Sequence, residues 1–330
     1  MRVAVVGGVH STEVLLRSLV RHGFTDVAVW GYVPSDGTHV SGWSDLARVA
    51  AELKTPAHAF RKVATCETGL REYEPDVLFV VGLSQIIPRE MLGIARLLNV
   101  GFHPTALPEG RGRAAIAWLV LGATRGAATF FELTEGVDDG PILTQEHFTV
   151  DADDDARVVE AKVLAAEERA LDAWLPKLRS GNFEKRQQDH SKATWLGRRT
   201  PEDGWLDWSR SADSVLGVIR AAAPPNPGGY TFRADVRIEI LAARLSEQRI
   251  TGVAGRIVGV SEDGRFDVQC GDAILEITEW RCDTGWKPRV GERLGYYVEV
   301  EVFKLQRQVA LLTERLEVLE RRVIGQHEQD

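Results

Sequence analysis

His103 stands where an apolar run gives way to a proline turn, in the stretch LNVGFHPTALPEGRGRAAIAW from Leu98 to Trp118. An imidazole titrates near neutrality and can both give and take a proton. A second, glycine-flanked stretch, EGVDDGPIL from Glu135 to Leu143, carries Asp138 and Asp139. A carboxylate brought beside an imidazole fixes its tautomer and stabilises its protonated form, which is the pairing general acid-base catalysis uses. Either aspartate alone serves as well as a solvated turn residue, so the chemistry depends on a fold that brings one of them to His103. Arg111 and Arg113 follow the histidine, and Arg198 and Arg199 lie further along; these four are candidate cations for an anionic substrate. The three cysteines, Cys66, Cys270 and Cys282, are far apart with no C-x-x-C spacing, so neither a disulfide framework nor a metal site is expected.

The elements that must position these residues are legible from apolar periodicity. Val3 to Gly8 reads as a buried strand ending in glycines, and Ser11 as the N-cap of a helix carrying Val14, Leu15, Leu19 and Val20. Asp26 to Val33 and Asp76 to Leu83 read as further strands, with a helix over Ser44 to Leu53 between them. Strands apolar on both faces and joined by helices imply a parallel sheet covered on both sides, which binds ligands at its carboxyl ends. A long helix is expected from about Asp155 to Leu178, with Val159, Val163, Ala166, Ala170 and Trp174 on one stripe. Short strand-like segments between Gly and Asp turns follow from about residue 205, and indicate a small antiparallel barrel or sandwich. The expected architecture is therefore a doubly wound, mainly parallel, Rossmann-like α/β domain over 1–200, a β-rich barrel-like domain over 201–300, and an amphipathic helix over 301–330.

In that last segment Val302, Leu305, Val309, Leu312, Leu316, Leu319 and Val323 alternate at spacings of three and four, an a/d seam. The seam can pack on its own domain or against a second copy, and a homodimer through this helix is the expectation. The formal net charge of −8 argues against a protein whose main work is gripping phosphate backbones. No apolar stretch has the length of a membrane span, and Met1 leads straight into a strand-like run; a soluble, cytoplasmic protein with no membrane partner is expected.

HPTALPEGRGRAAIAW is similar to the His-x-Ser-Leu-Leu-Pro-x-x-Arg-Gly signature of the folate-dependent formyltransferases, and GVDDGPIL to their Gly-x-Asp-x-Gly-x-Ile loop. RRTPEDGWLDW and IRAAAPPNPGGYTF resemble the linker and accessory domain of the bacterial sugar and methionyl-tRNA members, so the likeness reaches to about residue 300. The resemblance implies transfer of a formyl group from the co-substrate N10-formyltetrahydrofolate to an amine, with His103 and Asp138 in the family's histidine and aspartate places. It also implies a pterin slot between the loop Gly82 to Pro88 and the aspartate loop, making Ser84, Gln85, Ile86, Ile87, Asp138 and Asp139 the cofactor-side candidates. The family's asparagine, two residues before the histidine, is replaced here by Gly101. Asn99 is the nearest substitute; it shares strand parity with His103 but starts about 13 Å back at roughly 3.3 Å per residue, and would need a bulge to serve.

Methionyl-tRNA formyltransferases carry a Lys/Arg-rich insertion after the second strand. The corresponding Gly31 to Leu46 contains no Lys or Arg, and a loop without cations forfeits the phosphate attraction on which RNA contacts rest. An amino sugar, nucleotide-linked, is therefore the expected small-molecule acceptor, and nucleic acid is disfavoured as a partner. Methionyl-tRNA, a small amine such as an N-hydroxyornithine, and a folate-fold binding protein without turnover are the alternatives.

Overall fold

The computed structural model describes residues 1–327, with side-chain surroundings described through Arg321. The first strands are β1 (Arg2–Gly7), β2 (Asp26–Tyr32), β3 (Ala57–Phe60), β4 (Val77–Val81) and β5 (Leu98–His103), all paired in parallel. After the two-residue strand β6 (Arg111–Gly112) come β7 (Arg125–Glu132) and β8 (Ile142–Thr149), which join antiparallel to give the order β3-β2-β1-β4-β5-β7-β8. Chain order reverses between β1 and β4, so the crevice at the carboxyl ends lies beside the loops that follow those two strands. Val3, Val5, Val77, Phe79 and Val81 are fully buried. Removing each such side chain from water contributes roughly 1.5–3 kcal/mol.

Helices α1 (His10–Arg21), α2 (Leu46–Leu53), α3 (Glu67–Tyr73), α4 (Ala115–Gly122) and α5 (Ala156–Ser180) flank the sheet. The stripe expected on α5 is buried from Val159 to Trp174, and Asp155 caps its start by accepting the Val158 N–H. α1 corrects the sequence reading: it starts at His10, one residue before the expected cap Ser11. Thr12 does the fastening instead, its hydroxyl accepting the Gly8 and Val9 N–H groups and donating to the Val81 carbonyl. A Cβ on Gly7 would stand 2.2 Å from that same carbonyl, so β1 must end in glycine for the turn to close on β4.

Strand β9 (Trp195–Leu196) returns to pair with β6, behind the segment that follows His103. A helix that the periodicity did not reveal, α6 (Ala212–Ala222), then precedes β10 (Gly229–Arg233), β11 (Val236–Leu245), β12 (Ile257–Val260), β13 (Phe266–Gln269) and β14 (Ile274–Arg281). These five form an antiparallel sheet in the order β10-β11-β14-β13-β12. Val215 and Ile219 of α6 share one buried cluster with Ile238, Ile240, Leu275 and Ile277 of the sheet. α7 (Val298–His327) follows. No helix among the described residues is long and apolar enough to cross a membrane.

Candidate active site

His103 is the last residue of β5 and is only 7% exposed, which places its ring at the carboxyl edge of the sheet under the loops. Its Nε2 lies 2.8 Å from the Gly110 carbonyl, which also accepts the Thr105 hydroxyl. A carbonyl only accepts, so Nε2 carries hydrogen, and in the neutral ring Nδ1 is the open nitrogen. Nδ1 faces the carboxylate of Asp138, with Oδ2 at 3.6 Å. That separation exceeds a hydrogen bond, so in the neutral ring both atoms remain able to accept a proton.

Asp138 is itself held. Its Oδ2 accepts the Gly112 N–H at 2.8 Å, and its backbone has φ of +50°, a left-handed conformation that short polar side chains tolerate. Gln188, buried at 5% exposure, donates from Nε2 to the carbonyls of Asp138 and Gly140. The amide oxygen of Gln188 accepts from Arg111 at 2.7 Å. Nothing in the polar run Gln187-Gln188-Asp189-His190 singles Gln188 out, and only the fold brings it beneath the aspartate loop.

Several candidates take roles other than those expected. Arg111 is 3% exposed, and its guanidinium bonds to Gln188 and to His190 Nδ1, so it supports the Asp138 loop from below and is closed to a substrate anion. Arg113 is exposed and donates to the Ser84 carbonyl, tying the segment after His103 to the loop after β4. Arg199 lies over Trp118 and donates to the Asp203 carbonyl, while Arg198 is exposed in the linker. Both polar ends of Gln85 are committed, Oε1 to the Val63 N–H and Nε2 to the Arg61 carbonyl. Ile87 packs on the core cluster around Met91 and Ile94, whereas Ile86 is 91% exposed. Asp139 accepts the Thr134 hydroxyl and closes its own loop.

Asn99 is not brought to His103. Its amide donates to the Leu92 carbonyl near the start of β5. At Gly101 the reason for the glycine is visible: an added Cβ would lie 2.7 Å from both Phe131 Cζ and Leu133 Cδ2. Apolar side chains fill the space into which a longer residue would project, and Phe131 is 2% exposed.

Two contacts draw the loops into one rim: Arg113 to Ser84, and Arg89 to Glu135 at 2.7 Å. Ile86 and Val137 stand exposed on the two loops so joined. Across the switch point, His10 Nδ1 is 3.1 Å from Glu160 Oε1, and that hydrogen bond holds the imidazole above its ordinary value despite partial burial. Burial pushes the Cys66 and Cys270 thiols up to about 12, which removes both as nucleophiles at neutral pH. No group of three or more His, Cys, Asp or Glu among the described residues could hold a metal ion.

The formyl transferase family model matches residues 46–175, from α2 through the His103 and Asp138 segments to α5, and the model of that family's C-terminal domain matches 198–287. The chain carries both domains of a formyl transferase. Formyl transfer is the activity those two domains carry. Solved structures share the fold at low identity. The N-formyltransferase from Helicobacter canadensis, in complex with folinic acid and dTDP-3-aminofucose, is 16% identical with a TM-score of 0.63, over 85% of this chain and 100% of that one. HypX from Aquifex aeolicus, in complex with tetrahydrofolic acid, is 17% identical with a TM-score of 0.63, over 86% of this chain but 44% of its own. Methionyl-tRNA formyltransferase from Clostridium thermocellum is 17% identical with a TM-score of 0.55, over 76% of this chain and 96% of that one.

Proposed function

We propose that the enzyme transfers a formyl group from N10-formyltetrahydrofolate to the amine of a nucleotide-linked amino sugar, with His103 and Asp138 as its acid-base pair. The co-substrate fits the residues present. Ile86 and Val137 are large apolar side chains left exposed, at 91% and 60%, on the two loops that frame the His103 end of the cleft. A flat heteroaromatic ring is the kind of surface that would cover them. When bound, the folate supplies a formyl carbon attached to a nitrogen leaving group.

The protein's share of the chemistry is proton handling. An amine that attacks a formyl carbon gains positive charge and must lose a proton. His103 Nδ1 and Asp138 Oδ2, 3.6 Å apart, are two acceptors that a single proton would bridge. With the proton on the ring, Nε2 remains bonded to Gly110 and the Nδ1–H donates toward Asp138, so the imidazolium is stabilised where it forms. Its positive charge sits at the carboxyl edge of the sheet, where it favours the negative charge that develops on the formyl oxygen.

The observation that carries the choice of acceptor is the loop Gly31 to Leu46. It has no Lys or Arg, and it is fastened to the second domain through His39 Nε2 to the Pro225 carbonyl and Ser41 to Asn226. A surface so closed and free of cations offers an RNA phosphate backbone nothing to neutralise it, whereas a nucleotide diphosphate needs only one or two cations. The H. canadensis relative, crystallised with an amino-sugar nucleotide, supports the same reading. In this reading the enzyme works as a homodimer joined by its C-terminal helix.

The test is incubation with N10-formyltetrahydrofolate and a panel of amino-sugar nucleotides, following release of tetrahydrofolate. Turnover with at least one sugar is expected, lowered by orders of magnitude in His103→Ala and in Asp138→Asn. Silence with every sugar alongside formylation of charged initiator tRNA would overturn the acceptor assignment.

A further inference from the structure

α5 and α7 carry the same kind of apolar stripe and meet opposite fates. On α5, Val159, Val163, Ala166, Ala170 and Trp174 are at most 2% exposed against the sheet. On α7, Val302, Leu305, Val309, Leu312, Leu316 and Leu319 are 45–61% exposed. The root of the helix is anchored: Tyr296 packs on Phe232 and donates to the Ala234 carbonyl, and the Tyr297 hydroxyl donates to the Ala254 carbonyl. Beyond that root, the shallow apolar groove lined by Val302, Leu305 and Val309 is made of α7 residues alone.

We propose that α7 pairs with α7 of a second copy as a parallel, in-register, two-stranded coiled coil. The proposal deepens the homodimer reading above and rests on it. The residue types at the seam select this partner. With Val302 at position a, the a positions are Val302, Val309 and Leu316 and the d positions are Leu305, Leu312 and Leu319. β-branched residues at a with leucine at d favour two parallel strands, because the two sites orient their side chains differently toward the facing helix.

The flanks agree. In a parallel pair a g residue faces the e residue five positions on in the other helix. Here Glu301 meets Gln306, Gln308 meets Thr313, and Arg315 meets Glu320, so no pair repels and the last attracts twice by symmetry. A bilayer surface is the poorer occupant. Helices that lie on membranes carry a basic polar face. From Val298 to Arg321, α7 instead mixes Glu299, Glu301, Glu314, Glu317 and Glu320 with Lys304, Arg307, Arg315 and Arg321. A parallel arrangement brings the two helix roots together, so both catalytic units hang from the same end of the coil.

The full-length protein tests this. Sedimentation equilibrium is expected to give twice the 36.5 kDa chain mass. Leu312→Glu is expected to give the monomer mass with unchanged near-ultraviolet circular dichroism, since the side chain it alters is 61% exposed and belongs to no buried cluster of the described residues. Arg315→Glu sets two glutamates against two others and is expected to weaken association by about tenfold, and adding Glu320→Arg to the same chain is expected to restore it.

Orientation is read in a Cys282→Ser background by mild oxidation. Leu305→Cys should cross-link with itself. An antiparallel coil would instead cross-link Leu305→Cys with Leu316→Cys in a mixture of the two proteins, and that result overturns the parallel proposal while leaving the dimer standing. A monomer mass for the unaltered chain, or a stable trimer or tetramer, overturns the proposal and the dimer reading together.

Discussion

Gly101→Asn places a side-chain amide two residues before His103, where the resemblance to other formyltransferases expects one, and the structure predicts that it fails. An ideal Cβ at Gly101 meets Phe131 Cζ at 2.7 Å, Phe131 Cε1 at 3.1 Å and Leu133 Cδ2 at 2.7 Å. Non-bonded carbons settle at about 3.5–4.0 Å, so each neighbour has to retreat by roughly 1 Å. Leu133 is partly exposed and has rotamers to use, but Phe131 is locked among Leu107 and Ile142 at 2% exposure. Overpacking of this kind costs about 1–3 kcal/mol, and an amide pressed among apolar side chains without a partner costs about 1–3 kcal/mol more.

The expected result is therefore a loss of roughly 2–6 kcal/mol in urea unfolding for Gly101→Asn, with about the smaller share of it for Gly101→Ala. No gain in formyl transfer is expected, because the amide has no open path to the cleft. Trimming the obstacle in Gly101→Asn/Phe131→Ala should recover part of any lost rate and leave the core weaker. The reasoning is refuted if Gly101→Asn keeps the stability of the parent and speeds turnover by a hundredfold, the scale of one well-placed oxyanion donor, about 3 kcal/mol. That outcome would mean the position is open and simply lacks its donor.

Gln188→Leu removes the donors that hold the Asp138 and Gly140 carbonyls and leaves Arg111 without its Gln188 acceptor; kcat should drop by tenfold or more with little change in KM for the acceptor amine, and Gln188→Asn should rescue part of it. Glu167 is fully buried on α5, and the Ser11 hydroxyl beside its carboxyl offsets less than the burial costs. Burial pushes its carboxyl well up, so it stays neutral when folded while the unfolded chain ionises above the ordinary glutamate value of 4.5, and stability falls as pH rises past that value. Glu167→Leu should flatten this part of the pH profile and stabilise the protein at neutral pH by about 1–2 kcal/mol in denaturant titration. His10 has the same sign in a higher window: its raised value contributes stability that is full below 6.5 and lost as pH rises through the folded value, and Glu160→Gln should bring the His10 NMR titration midpoint down.

The two-sided apolar strands and the α5 stripe were readable because periodicity is a local property, and burial follows once a sheet exists to receive it. The His103 and Asp138 segments were readable as well, because proline, glycine and the paired aspartates mark strand-end turns in one dimension. Ser11 was misread because capping was judged by residue type alone; Thr12, with Val81 within reach of its hydroxyl, outcompetes it. Arg111 and Gln85 show the limit more sharply. A polar side chain in a motif says nothing of which partner will claim it, and the Arg61, Val63 and Gln188 groups that claim these two lie 22 to 77 residues away.

The sequence by itself determined the α/β class, the strand-end segments that carry His103 and Asp138, and the apolar seam of α7, since each is written in residue type and spacing. Only the tertiary structure decided that His103 has one nitrogen spent on Gly110 and the other open to Asp138, that Gln188 and Arg111 set the aspartate loop, and that Phe131 has filled the space beside Gly101. Those outcomes depend on which distant groups arrive within a few ångströms, and hydrogen bonding and close packing act only at that range.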